Sequence, residues 1–365
     1  MQNMQLKAEN KYIWASIDES TDSEGRMVVN FIFGILDDCK NSPERGIQYN
    51  KVLLALTDSA SYMLAAMKGL QILYSKMLHV TCLSHGLHRV AEFIRDKFSN
   101  VNQLISKTKA VFLKAPSRRM KFQQMNAGLA LPPEPVITRW GTWLNAAIYY
   151  CDHFSEVKSV IDTFDIADAE SIGLAQQAFN NGDVEADLAY IKTNFASLIA
   201  ATVKLETQGL ALSESIEIVT SIRNELRSLS RQEFTRKFEA VLKRNRGFIP
   251  ICDINNILNR NMQPTNEYVH NLTSHELALF AYAPLSSADV ERSFSDYKNV
   301  LTLKRRSFLF ENVKQHVIVL CNECKQADTV TKQRWYKGIF ATAEEQEDDY
   351  DEDYLLESKR NNINL

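Results

Sequence analysis

One stretch constrains the fold of this chain more than any other, and it covers residues 52–82. It opens with an apolar run that ends at Asp58 and continues with the three-to-four spacing of a helix from Ser59 to Leu70. A second apolar run, from Met77 to Cys82, closes it. A strand, an acid, a helix and another strand in this order are typical of an α/β sheet with chemistry at the carboxyl ends of its strands. The stretch therefore predicts an α/β fold.

Two further strands precede this unit. The run from Tyr12 to Asp18 alternates in polarity and ends in an acid, and the run from Met27 to Leu36 is β-branched and aromatic. The short turn between them predicts a β-hairpin. If the strands that end at Asp18 and Asp58 are parallel neighbours, both carboxylates emerge at one edge of the sheet.

A third acid would complete a two-metal phosphoryl-transfer site at this edge. The candidate is Glu291, in the first turn of a helix for which Ser287 is the predicted N-cap. Carboxylates this close repel each other, and such pairs persist when a divalent cation or a shared proton lies between them. The alternative is that these acids are ordinary residues at strand ends and helix starts.

Most of the remaining chain carries a helical period. One helical run extends from Leu87 to Ile105, and capping boxes are predicted at Ser230–Glu233 and Thr273–Glu276. We predict four units: 11–92, the first part of the sheet core; 93–275, an all-helical insertion; 276–325, the C-terminal helices of the core; and 326–365, an acidic, disordered tail.

The formal net charge of −3 conceals an asymmetry. Residues 344–353 carry eight acids, and the chain without them has a charge of +5. A mildly basic body fits contact with a polyanion, whereas the tail alone is typical of solvated disorder. Six scattered cysteines, no signal peptide and apolar runs too short to span a bilayer favour a soluble intracellular protein without a membrane partner or small-molecule substrate.

An ordered set of segments resembles the hAT family of DNA transposases. They are SIDESTD, LLALTDSA, HVTCLSHGLHRV, VITRWGTW and the run that begins PLSSADVERSFSDYKNV, and together they extend from about residue 11 to 325. The resemblance implies an RNase H-like core interrupted by a large all-helical insertion, and a dimerisation region in residues 284–324. It also implies that Asp18, Asp58 and Glu291 hold Mg²⁺ or Mn²⁺ and cut and join DNA in the nucleus.

The same resemblance assigns further site residues. Cys82 and His85 match a Cys-x-x-His element beside the active site, and Arg139 and Trp140 match an Arg-Trp element that contacts unstacked DNA. The alternatives are a buried thiol with a capped imidazole, and core packing for Trp140 and Trp143. Cys82 and His85 could also bind zinc together with Cys321 and Cys324.

Two basic clusters could contact a phosphate backbone. The first lies in a segment without acids, from Ile105 to Pro133, and the second follows in the C-terminal region. Their members are Lys107, Lys109, Lys114, Arg118, Arg119 and Lys121 in the first, and Lys298, Lys304, Arg305 and Arg306 in the second. The alternative for each is an ordinary solvated surface.

The spacing of the acids departs from the family pattern, since only 40 positions separate Asp18 from Asp58. About 15 residues lie between Leu36 and Val52, too few for both the strand and the helix that the resemblance implies. We therefore expect the third strand and first helix of the RNase H-like core to be missing, with an unpaired sheet edge and a bare apolar face. The zinc finger usual before the core is not seen either.

Two functional hypotheses follow. The first is a transposase-derived nuclear protein that self-associates as a homodimer or higher oligomer through residues 284–324, binds DNA and lacks cut-and-paste activity and a cofactor. The second is an active transposase that uses Mg²⁺ or Mn²⁺ on Asp18, Asp58 and Glu291.

Overall fold

The computed structural model describes residues 11–21, 27–36, 49–135, 140–261, 266–300 and 335–340. These residues form a five-stranded mixed sheet of order β4-β3-β1-β2-β5 and a larger set of helices. The strands are β1 (Ile13–Thr21), β2 (Met27–Ile35), β3 (Val52–Thr57), β4 (Leu78–Thr81) and β5 (Trp335–Phe340). The predicted α/β class is confirmed, and the helices make up most of the described chain.

Every described regular element between residues 93 and 275 is helical. The described α-helices are α1 (Ser61–Leu73), α2 (Leu83–Lys97), α3 (Ser99–Phe112), α4 (Pro116–Met125), α5 (Trp140–Asp152), α6 (Phe154–Asp162), α7 (Glu170–Phe179), α8 (Val184–Leu205), α9 (Leu212–Ser228), α10 (Gln232–Arg244), α11 (Phe248–Leu258), α12 (Glu267–His270), α13 (Ser274–Leu279) and α14 (Ala288–Val300). None of the helices in the described residues is long and apolar enough to cross a membrane.

Strand pairing confirms the predicted hairpin of β1 and β2 and meets the condition that the strands before Asp18 and Asp58 are parallel neighbours. β1 pairs antiparallel with β2 as a hairpin and parallel with β3, which pairs parallel with β4. One detail is different: β1 continues to Thr21, so Asp18 lies within the strand and not at its end. The reason is that β2 pairs with β1 along its whole length, from Ile13 opposite Ile35 to Thr21 opposite Met27.

The outer edge of β2 is paired, which corrects the expectation of an unpaired edge. β5 runs antiparallel to β2, with Phe340 opposite Val29 and Trp335 opposite Gly34. This strand also corrects the prediction of disorder for residues 326–365, because Trp335–Phe340 takes part in the sheet. The acidic residues 344–353 lie outside the described residues, as do residues 37–48 between β2 and β3.

The opposite edge, β4, is closed by a side chain. Asn245 accepts a hydrogen bond from the Thr81 N–H (3.0 Å) and donates one to the Thr81 carbonyl (2.8 Å). The side-chain amide therefore takes the place of the backbone of a neighbouring strand. The edge N–H and carbonyl of Thr81 are hydrogen-bonded without a sixth strand.

The two faces of the sheet are covered unequally. One face shares a continuous apolar core with the helices that follow, and it includes Trp14, Ile32, Leu54 and Val80. The other face has a smaller cluster that contains Phe33 and Met67 from α1. At the end of this second face, Met27 is 53% exposed.

Position 34 in β2 requires glycine because of Trp14. This residue is opposite Gly34 on the neighbouring strand β1, and its indole ring lies over the glycine. A Cβ atom at position 34 would lie 2.3 Å from Trp14 Nε1, and the indole itself is only 1% exposed. We expect Gly34→Ala to lower the free energy of unfolding by about 2–3 kcal/mol, because the indole has no space to move. Urea denaturation measures the change.

The matched control is Gly69→Ala in α1, where an added Cβ meets nothing within 4 Å. This variant should gain about 0.5–1 kcal/mol, because alanine is the better helix residue. Equal stability of the two variants would contradict the packing argument at Gly34.

Local helix signals were only partly correct. The capping box at Thr273 and Glu276 is confirmed, and Glu276 also binds Lys76 before β4 at 2.6 Å. The predicted box at Ser230–Glu233 is wrong. α10 has Arg231 at its N-cap, and Glu233 binds the Arg231 guanidinium instead of capping the helix.

The single helix predicted over Leu87–Ile105 is two helices. Phe98 breaks it, with backbone angles of −120° and 63°, and its ring is almost completely buried against Phe234. The break turns the chain so that the Phe98 ring enters the core. Periodicity alone cannot reveal this, because Phe98 fits either pattern.

Candidate metal and nucleic-acid site

The sheet brings Asp18 and Asp58 to the same edge. β1 and β3 are adjacent and parallel, and Ser16 is paired with Leu56. Asp18 is two residues after Ser16, and Asp58 is two residues after Leu56. Both acids therefore lie equally far beyond this pair, at the same end of the two strands. The Asp18 carboxylate accepts the Glu19 N–H at 2.9 Å, and the Asp58 carboxylate accepts the Ala60 N–H at 3.1 Å, just before α1.

Glu291 reaches the same region from the first turn of α14. His85, in the first turn of α2, contacts it, with 3.3 Å between His85 Nε2 and Glu291 Oε1. The other ring nitrogen of His85 lies 3.3 Å from the Ser287 hydroxyl. Ser287 immediately precedes α14, as predicted, although its hydroxyl contacts His85.

The charges of these residues act on one another. The pKa of Asp18 is raised from 3.8 to about 6, mainly by burial and to a smaller extent by the carboxylates of Asp58 and Glu291, against the lowering effect of His85 and the Glu19 N–H. The three acids that the sequence singled out therefore share one rim, which we call the carboxylate rim: Asp18, Asp58 and Glu291.

Cys82 and His85 form a second coupled pair beside the rim. Burial alone would raise the pKa of the thiol, but the charge of His85 and hydrogen bonds lower it from 9.0 to about 6. Burial would likewise lower the pKa of His85, yet Cys82, Glu291 and Asp18 raise it from 6.5 to about 10. Cys82 and His85 therefore each favour the charged form of the other, and Cys82 is also buried, at 3% exposed.

Sequence reasoning missed Glu19 and Tyr62. The Tyr62 hydroxyl in the first turn of α1 donates a hydrogen bond to the Glu19 carboxylate. This bond and the nearby carboxylates of Asp58 and Asp18 raise the Tyr62 pKa. The only sequence signal was a tyrosine one helical turn after Asp58, and its side chain is 52% exposed at the rim.

A cleft of about 260 Å³ adjoins Glu291 and lies between α2, α5, α8 and α14. Its polar lining includes His88, Asn145, Glu206 and Arg292. The helix α5 begins at Trp140, whose side chain lies outside the described residues, as does Arg139. Trp143, one turn later, is 2% exposed, so the core-packing alternative is confirmed for Trp143.

The first basic cluster has local structural partners. Arg118 donates to the carbonyl of Val111 at 3.1 Å, Arg119 to that of Phe112 at 2.9 Å, and Lys121 to that of Thr163 at 3.2 Å. Lys114 occupies the turn between α3 and α4 with a φ of 53°. The two arginines satisfy carbonyls at the end of α3, so part of this charge stabilises the turn.

The donor chemistry of the rim fits a hard divalent cation, because Mg²⁺ and Mn²⁺ prefer carboxylate oxygens. Asp18 is a half-buried acid whose ionised form is disfavoured by burial and by the carboxylates of Asp58 and Glu291. No three His, Cys, Asp or Glu residues within the described ranges stand close enough together to hold a metal as they are. The zinc prediction involves Cys321 and Cys324, which lie outside the described residues.

Most of the predicted self-association region, residues 284–324, also lies outside the described residues, since residues 301–334 are not among them. Lys304, Arg305 and Arg306 of the second basic cluster lie there as well. Lys298 is in α14, but its side chain is outside the described residues. No protein-family model matches the sequence, and no curated protein is detectably similar to it.

Proposed function

We propose that this chain is a transposase-derived DNA-binding protein of the hAT type that holds Mg²⁺ or Mn²⁺ at the carboxylate rim. The observation that carries the proposal is that the parallel strands β1 and β3 bring Asp18 and Asp58 to one edge of the sheet, where His85 lies 3.3 Å from Glu291. Asp58, Glu291 and His85, which are far apart in the sequence, all act on the pKa of Asp18. Such clusters are typical of functional sites.

In this proposal Asp18, Asp58 and Glu291 hold the cation. When bound, the cation would neutralise the rim and provide an electrophilic partner for a phosphate oxygen. His85 contributes a fixed positive charge next to Glu291, at 3.3 Å. Asp58 keeps its position because its carboxylate accepts the Ala60 N–H at 3.1 Å.

Divalent-cation binding tests this proposal directly. We expect the full chain to bind Mn²⁺, as measured by electron paramagnetic resonance of the free ion, and Asp58→Asn to weaken binding by ~10-fold or more. The matched control is Asp168→Asn, at an exposed acid in the helical part of the chain, which should bind like the parent chain. Equal binding by Asp58→Asn and the parent would overturn the assignment of the rim.

The DNA partner is proposed on the family resemblance and on the exposed basic side chains. Lys114 is exposed, and Arg118, Arg119 and Lys121 are half-buried with charged groups that still reach solvent. Trp140 is the first residue of α5, which lines the cleft beside Glu291, and Arg139 directly precedes it in the sequence. Binding of an oligonucleotide should weaken as salt rises, since it depends on ion pairing with phosphates.

Self-association through residues 284–324 and a nuclear location belong to the same proposal and rest on the resemblance alone. Sedimentation of the full chain at micromolar concentration tests the first part. A mass corresponding to two or more copies is expected, and a monomer only would contradict it.

DNA cleavage is the second candidate function. The observation that favours it is the presence of two further carboxylates, those of Asp58 and Glu291, that add to the effect of burial on the pKa of Asp18; phosphoryl-transfer sites group acids in this way. The shortened segment between β2 and β3 favours the first proposal, binding without cut-and-paste activity. Incubation of supercoiled plasmid with Mg²⁺ or Mn²⁺ decides between them: nicking that Asp58→Asn abolishes supports cleavage, and equal background in both supports binding alone.

A further inference from the structure

Two chain segments that are about 200 residues apart in sequence meet beside the carboxylate rim. They are residues 82–85, at the start of α2, and residues 285–288, which lead into α14. The Leu83 N–H donates to the Leu285 carbonyl at 2.9 Å, and the Ser84 and Ser286 hydroxyls are 3.1 Å apart. The starts of these two helices are therefore joined by direct hydrogen bonds.

The sulfur of Cys82 is at the centre of this junction. It accepts the backbone N–H of Ser287 at 3.2 Å, lies 3.1 Å from the Ser84 hydroxyl and is 3.9 Å from that of Ser286. The side chain is only 3% exposed, so solvent cannot replace these partners. The buried sulfur accepts the Ser287 N–H and has two further hydroxyl partners, so it holds the segment before α14 against the start of α2.

The surroundings of this sulfur differ from those of another described cysteine. Burial raises the pKa of Cys252 to about 11, whereas His85 lowers the pKa of Cys82. The groups that face Cys82 are Ser84 and His85 from α2 and Ser286 and Ser287 from the segment before α14. His85 is the ionisable group among these four.

The junction leads directly to Glu291, which is one helical turn beyond Ser287. The Glu291 N–H points to the Ser287 carbonyl at 3.4 Å, so a displacement of Ser287 displaces the first turn of α14. His85 contacts both residues, with one ring nitrogen at Ser287 and the other at Glu291. The position of the Glu291 carboxylate therefore depends on the contact of Cys82 with Ser287 and on the contacts of His85 with Ser287 and Glu291.

We propose that Cys82 is a positioning residue for the carboxylate rim, whose sulfur fixes the Ser287 amide and the His85 ring and thereby places Glu291 against Asp18. The proposal rests on the proposed function of the rim, since it gives Glu291 a role in binding a divalent cation. It extends that function to a residue that touches none of the three acids. Residues that orient metal ligands without binding the metal themselves commonly change the metal affinity of a site.

The test compares Cys82→Ala and Cys82→Ser in the full chain with the control Cys252→Ala. Cys82→Ala removes the acceptor, so Mn²⁺ affinity should fall by ~10-fold while far-ultraviolet circular dichroism is unchanged. Cys82→Ser keeps a neutral acceptor and should lose about threefold. Cys252→Ala should bind Mn²⁺ like the parent.

Two readouts distinguish a failure of this inference from a failure of the proposed function. Hydrogen exchange of the amides at 286–291 should accelerate in Cys82→Ala, whether or not a metal binds. A parent chain without Mn²⁺ affinity would overturn the metal function. Normal Mn²⁺ affinity and unchanged exchange in Cys82→Ala would overturn the positioning role.

If Cys82→Ala does not fold, the comparison of Cys82→Ser with the parent chain tests the proposal instead. Serine preserves the size and one acceptor, so a well-folded Cys82→Ser with faster exchange at 286–291 and weaker Mn²⁺ binding supports the proposal. The same variant with parental exchange and binding overturns it, because the sulfur would then have no effect on Glu291.

Discussion

Asp18→Asn is expected to make the folded chain more stable than the parent at pH 7.5 when no divalent cation is present. Burial and the neighbouring acids raise the pKa of Asp18 from 3.8 to about 6, so the ionised carboxylate destabilises the fold. At about 1.36 kcal/mol per pKa unit, the gain is up to ~3 kcal/mol. Asparagine keeps an oxygen that can accept the Glu19 N–H, which the carboxylate accepts at 2.9 Å.

The pH dependence has a definite sign. Because the folded-state pKa lies above 3.8, the folded chain binds more protons than the unfolded chain between about pH 4 and pH 6. The stability of the parent relative to Asp18→Asn therefore falls as the pH rises through this interval. The two proteins should be equally stable below about pH 4, and the full difference should be present above about pH 6.

Urea denaturation with a chelator present measures this difference, and Asp168→Asn serves as the control. That residue is exposed, so its replacement should change stability by no more than ~0.5 kcal/mol. Addition of Mn²⁺ should stabilise the parent more than Asp18→Asn, since the variant lacks one of the carboxylates. A variant that is less stable than the parent at pH 7.5 would indicate that Asp18 has a structural role.

The sheet was predictable because its signals are local. Apolar runs interrupted by a helical segment predicted β3, α1 and β4, and the turn after β1 predicted the hairpin. The strand-helix-strand unit predicted the parallel pair β3 and β4, whereas the parallel pairing of β1 with β3, which places Asp18 and Asp58 at one edge, was only a condition of the site prediction. The capping box at Thr273 is another local signal, and it was confirmed.

The contacts that sequence reasoning missed join residues that are distant in the chain. Cys82 and Ser287 are separated by 205 positions, and Thr81 and Asn245 by 164. No period or motif indicates such a pair, because each side chain has several local alternatives of similar energy. The pairing of β5 with β2 belongs to the same class, since WYKGIF has no partner within the neighbouring residues.

Charge was harder to predict than position. The resemblance placed Cys82 and His85 beside the acids, and the alternative was a buried thiol with a capped imidazole. The raised pKa of His85 follows from the convergence of Cys82, Glu291 and Asp18 on one imidazole. That convergence exists only after the sheet and two helices have packed together.

Gly247→Ala should destabilise the fold more than Gly34→Ala does. A Cβ atom at position 247 would lie 2.1 Å from the carbonyl oxygen of His79 and 2.7 Å from Val80 Cγ2. The first of these atoms belongs to the backbone of β4, so no rotamer change relieves the clash. The connection between α10 and α11 would have to move away from the sheet, and the Asn245 amide, two residues earlier, would lose its bonds to Thr81.

Overpacking of this kind costs about 1–3 kcal/mol where side chains can adjust, and the loss of two buried hydrogen bonds adds about 1–3 kcal/mol for each group left unpaired. We therefore expect Gly247→Ala to lower the free energy of unfolding by more than about 3 kcal/mol. The midpoint of urea denaturation and the protease resistance of the native chain measure the loss.

The matched control is Gly182→Ala, in the turn before α8, where an added Cβ meets nothing within 4 Å. It should be as stable as the parent or slightly more stable, because alanine restricts the unfolded chain. Asn245→Ala separates the two causes: it removes the amide without the clash and should lose about 2–4 kcal/mol. A Gly247→Ala protein as stable as Gly182→Ala would mean that β4 is not closed by this connection.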